Sequence, residues 1–98
     1  MARHISHEMK VLKEPVSSGD WIEAIIDGFW VQAKIFKEPS TFGIDDGRVS
    51  KMAVVDGPAW SPTKLIINYD RGWDVGEHRS EVDSIVHQLE DYARKLPE

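Results

Sequence analysis

The sequence predicts an α+β fold: an antiparallel meander of four strands with one C-terminal helix packed on one face. Three observations carry this. An Asp-Gly pair sits between two apolar runs that alternate in step; two further β-rich runs follow at short spacing; and the C-terminal segment repeats its apolar residues at helical period. Runs of strands followed by a helix imply layers, with the helix lying on the sheet.

The hairpin comes first. Asp27-Gly28 favours a type I′ turn, whose twist matches that of two paired strands. A two-residue turn pairs Ile26 with Phe29, Ala24 with Val31 and Ile22 with Ala33, all apolar and all on one face. The other face pairs Ile25 with Trp30, Glu23 with Gln32 and Trp21 with Lys34. A slip of one residue would invert both faces, so the agreement of the two runs fixes the register of residues 20–37. Residues 48–55 and 63–70 are the next two strands, the first ending in Met52, Ala53, Val54 and Val55, the second holding Leu65, Ile66, Ile67 and Tyr69. Between them DGPAWSP, residues 56–62, reads as a loop because Gly57, Pro58 and Pro62 suit no regular element. A fifth, N-terminal strand is open around Met9–Lys13, before Pro15 and the Ser17-Ser18-Gly19 run break the chain. Residues 1–19 otherwise read as a mobile N-terminal segment, 20–74 as the sheet and 80–96 as the helix.

In the helix, Ser80 is the expected N-cap, with Asp83 completing a capping box. Val82, Ile85, Val86, Leu89, Tyr92, Ala93 and Leu96 fill an arc of roughly 120°, as in a surface helix with one buried stripe. Glu90 with Arg94 and Asp91 with Lys95 have the i,i+4 spacing of ion pairs, and Pro97 stops the run.

Composition narrows the function. The chain has 98 residues, room for one domain (1–98), and a net charge of −5. That charge works against nucleic-acid binding, for which Trp21, Trp30 and Phe36 beside Lys34 and Lys37 would be the stacking platform. There are no cysteines, which removes disulfides, thiolate zinc sites and cysteine nucleophiles. Cysteine-free composition, with no signal-like stretch in residues 1–10 and no run near the ~20 apolar residues of a membrane span, leads us to expect a cytoplasmic protein off the membrane. No cofactor motif is present, and the glycines form no phosphate loop.

Two surfaces are candidates for recognition. One helix covers one sheet face, which leaves Trp21, Ile25, Trp30 and Phe36 on the other. Either the chain's own N-terminal segment or the loop with Trp60 covers them, or they form an interface with a partner protein or a second copy. The second surface is a rim of two loops, EPSTFGIDDGRVSK (residues 38–51) and NYDRGWD (residues 68–74). Its candidates are Arg48, Lys51, Asp70, Arg71, Trp73 and Asp74: Arg supplies a planar donor fork for a carboxylate or phosphate, and Trp a stacking surface. The structural account of NYDRGWD is a turn closed by Asp70 and Asp74 around Arg71, with Arg71 on Trp73 and Gly72 easing the bend.

The metal candidates are weaker. Asp45 and Asp46 lack the spacing of an EF-hand. His4, His7 and Glu8 lie close together near the N-terminus, while His78 and His87 stand apart, His87 on the solvent side of the helix. No metal ligand is assigned.

The two loop motifs resemble a family of small uncharacterised bacterial and phage-associated proteins, a domain of unknown function, over residues 21–74. That resemblance implies no catalytic residue. It implies that the two loops belong together, at one end of the sheet if Arg48 and Tyr69 begin and end neighbouring strands. The leading function is a small non-enzymatic binding or protein-interaction module. The alternative is a metal-dependent hydrolase using Asp45, Asp46, Asp70 and Asp74.

Overall fold

In a computed structural model, which describes residues 9–75 and 80–97, six strands precede one helix. They are β1 (Met9–Lys13), β2 (Asp20–Ile26), β3 (Phe29–Ile35), β4 (Val49–Val55), β5 (Leu65–Asp70), β6 (Trp73–Val75) and α1 (Ser80–Arg94). All neighbours are antiparallel, and strand order in the sheet equals chain order.

The β2–β3 hairpin has the expected register from Asp20–Ile35 to Ile26–Phe29. Asp27 and Gly28 lie at φ 53° and 87°, both positive, as a type I′ turn requires. Ile22, Ala24, Ile26, Val31, Ala33 and Ile35 are fully buried and meet Val82, Ile85, Leu89, Ala93 and Leu96 of the helical segment, with Met52, Val54 and Ile67 completing the core. Burying each large aliphatic side chain contributes about 1.5–3 kcal/mol, so this layer contact is the main stabilising term.

The N-terminal strand is present, so the chain joins the sheet well before residue 20. A bulge between Val11 and Lys13 turns Leu12 outward. Residues 1–8, with His4, His7 and Glu8, lie outside the described residues, as do 76–79 with His78. So does the side chain of Ser80, and with it the expected cap. The helix ends at Arg94, and two tight hydrogen bonds, Lys95 N–H to the Tyr92 carbonyl (3.1 Å) and Leu96 N–H to that of Ala93 (3.1 Å), bring Leu96 into the core.

The expected turn is present at residues 70–72 and leads into a strand, β6, that the sequence reading did not include. The bend before it is carried by Arg71 at φ 58°, a left-handed conformation, while Gly72 does not use its freedom. The helix-surface pairs also differ. Glu90 turns to Arg48, just before β4 (3.1 Å), instead of Arg94, and Asp91 takes Arg94 (3.0 Å) instead of Lys95. For Glu90, a partner fixed by the backbone, the Arg48 N–H, outcompetes a flexible neighbour one turn away, since less side-chain entropy is lost.

Polar contacts also hold the helix and the residues after it to the rest of the fold. Asp27 in the hairpin turn accepts hydrogen bonds from Ser84 Oγ (2.7 Å) and Gln88 Nε2 (3.2 Å). Arg48 reaches Glu90 at mid-helix, and Lys37 Nζ donates to the Leu96 carbonyl (2.8 Å).

Candidate functional site

The site is built by the loop between β3 and β4. Gly43 and Gly47 lie so close that a Cβ on Gly43 would overlap the Gly47 carbonyl, and one on Gly47 would strike the Glu90 carboxylate. The loop folds on itself through Ser40 N–H to the Gly47 carbonyl (2.9 Å) and Gly43 N–H to that of Ser40 (3.0 Å). Ile44 plugs it into the core, and Asp45 and Asp46, at φ 53° and 57°, stay exposed. Arg48 closes the base: its Nε donates to the Lys37 carbonyl (2.8 Å), and its backbone N–H and Nη1 reach Glu90 at 2.6 and 3.1 Å.

The second loop, residues 70–72, meets the first, as the motifs implied. Arg71 N–H donates to the Ser50 carbonyl (2.9 Å), and the Arg71 guanidinium lies 5.1 Å over the Phe42 ring. Tyr69 Oη donates to the Phe42 carbonyl (3.0 Å). Burial and the nearby Asp45 and Asp46 carboxylates push the Tyr69 phenol above its ordinary pKa, because both penalise phenolate.

Where the loops meet, on the sheet face opposite the helix, they enclose a cleft of about 480 Å³ lined by Lys34, Lys51, Arg71, Phe36, Phe42 and Pro39, with Glu38 at its side. The strand register places the cations. Lys34 lies opposite Lys51 in the regular pairing that starts at Trp30 and Val55, and only beyond it, where Ile35 pairs with Val49, is Ser50 an extra residue. One cross-strand row therefore runs Trp21, Lys34, Lys51, Asp70. Lys34 Nζ sits 5.8 Å from the Phe36 ring centre, and Lys51 Nζ is 3.6 Å from Asp70.

The six rim candidates thus separate. Lys51 and Arg71 line the cleft, and Asp70 flanks it through Lys51. Arg48 is held by Glu90 and the Lys37 carbonyl as a structural clamp. The expected stack of Arg71 on Trp73 does not form: Arg71 takes Phe42, while Trp73, paired in register with Tyr69, packs edge-on to that ring at 5.0 Å. The Asp74 side chain lies outside the described residues. Among the described residues no three His, Asp or Glu side chains are grouped to hold a metal; Asp45 and Asp46 are exposed on their loop and Asp70 faces Lys51. His87 is exposed and 3.6 Å from Asp91.

On the same face, Trp30 is buried beneath Trp60, ring centres 5.6 Å apart, so the 56–64 loop covers the centre of the tryptophan surface. Trp21, Ile25 and Phe36 remain half-buried, and Trp60 itself is 54 % exposed. Lys37, expected beside this face, turns to the helix terminus instead. Sequence reasoning missed Lys34 and Phe42 as cleft residues. The signal for Lys34 is its place opposite Lys51, which becomes visible only once the pairing and register of β3 and β4 are known.

Fold and cleft together define a small α+β domain: a six-stranded meander under one helix, with a basic, phenylalanine-lined cleft on the opposite face. The chain belongs to an uncharacterised family, since a family model described as a domain of unknown function (DUF7678) matches residues 20–93. The match runs from β2 almost to the end of α1 and so contains both loops. No curated protein and no solved structure matches the chain.

Proposed function

We propose that this chain is a small non-enzymatic binding module that recognises a protein partner through the sheet face opposite the helix. The cleft of Lys34, Lys51 and Arg71 is its centre, and Trp21, Ile25, Phe36 and the exposed Trp60 are its apolar surround. One observation carries the reading: three cations and two phenyl rings converge in one cleft of a chain whose net charge is −5. Arginine and aromatic side chains are the usual anchors of protein interfaces, and the two lysines add charge for an acidic partner. No helix among the described residues is long and apolar enough to cross a membrane. The cysteine-free sequence suits a reducing compartment, and we place the module in the cytoplasm.

The test compares affinity capture by the native chain and by a Lys51→Glu/Arg71→Asn double variant, with thermal melting of both as the control for folding. A protein recovered by the native chain and lost with the folded variant supports the reading. Equal recovery by both overturns it. Sedimentation of the isolated chain at micromolar concentration tells a separate partner from a second copy.

A further inference from the structure

Resting on the binding-module reading, we propose that the cleft takes an organic anion: one carboxylate or phosphate group carried on an apolar body. Lys34 and Lys51 stand directly opposite each other, an arrangement in which like charges repel. Asp70 offsets the Lys51 charge at 3.6 Å, but Lys34 and Arg71 form no ion pair among the described residues, and Glu38, although it lines the cleft, pairs with neither. An anion seated among the three relieves that repulsion.

The backbone points the same way. Arg71 occupies a left-handed conformation, φ 58°, that Gly or Asn adopts with less strain, and glycine stands unused next to it. The strain is met by delivering a guanidinium over Phe42, at the cleft. Held over a ring, a guanidinium can still offer its planar donor fork for a bidentate grip on a carboxylate or phosphate.

The apolar body follows from size and lining. At about 480 Å³ the cleft falls within the range of small-molecule sites, roughly 300–1,000 Å³, and far exceeds one bare anion. Phe36, Phe42 and Pro39 form the rest of its wall, and Phe42 is 55 % exposed.

The experiment titrates the 15N-labelled full chain with phenyl phosphate and with benzoate, using inorganic phosphate and benzyl alcohol as probes that each lack one feature. The expected result is saturable shifts of the Lys34, Phe42, Lys51 and Arg71 amides, with one of the two aromatic acids binding about tenfold tighter than either control, as loss of a charge-assisted grip predicts. Whichever acid binds tighter identifies the anionic group. Arg71→Asn, which suits the turn, and Lys34→Gln each weaken binding about tenfold without lowering the melting temperature. The proposal is overturned by absent saturation, by benzyl alcohol or inorganic phosphate binding as tightly as the acids, or by unchanged affinity in both variants. If the titration fails while protein capture still depends on Lys51 and Arg71, the small-anion assignment falls and the binding module stands.

Discussion

Arg71 shows what a single residue can reveal about the division between stability and recognition. A non-glycine residue in the left-handed region costs about 1 kcal/mol or more. Arg71→Asn is therefore expected to hold or raise stability when measured by urea denaturation. Tyr69 is the opposite kind of residue. Its hydroxyl joins the two loops through the Phe42 carbonyl, so Tyr69→Phe should cost about 0.5–1.5 kcal/mol at neutral pH. Its raised phenol pKa adds a pH dependence. The unfolded tyrosine ionises first, near pH 10, so stability is level below that value and falls as pH climbs through the folded pKa. Tyr69→Phe removes its part of that alkaline fall and leaves the part of Tyr92, whose phenol burial also pushes up, so melting between pH 8 and pH 11 should show a shallower fall in the variant. Single residues were also where sequence reasoning was least reliable. Arg48 looks like a rim cation in the sequence, yet its partner Glu90 lies 42 positions away, and no local rule connects them.

At the scale of elements, the β2–β3 hairpin was legible in full because everything that sets it is local: an Asp-Gly turn and two alternating runs. The helix was legible for the same reason, from its stripe. Strand β6 was not, because three residues are too few for alternation and the turn before it places its positive φ on Arg71 instead of on Gly72. The β3–β4 bulge at Ser50, just beyond the Lys34–Lys51 pair, also leaves no local mark. The hairpin turn does more than reverse the chain, since Asp27 receives Ser84 and Gln88 of the helix. Asp27→Ala loses both the turn preference and these bonds, and should cost about 1–3 kcal/mol in chemical denaturation. Asp27→Asn keeps the positive φ and an acceptor oxygen, and should lose clearly less.

For the whole molecule, the charge balance is the informative quantity. An acidic chain that keeps two lysines face to face across adjacent strands forgoes stability there. Lys34→Glu converts the repulsion into an attraction with Lys51. Stability should hold or rise by about 0.2–1 kcal/mol, read from the melting midpoint, while anion binding is lost. Which face of the sheet meets the helix was readable from alternation, but the cleft is assembled from residues 34–71, brought together only by the completed strands. The agreement of strand order with chain order has a consequence for biosynthesis. Each strand leaving the ribosome finds its partner already beside it, so pairing needs no long search. The helix is translated after all six, so the oily side of the nascent sheet stays bare until residues 80–97 emerge. Until the helix docks, that apolar face makes a partly folded chain prone to association.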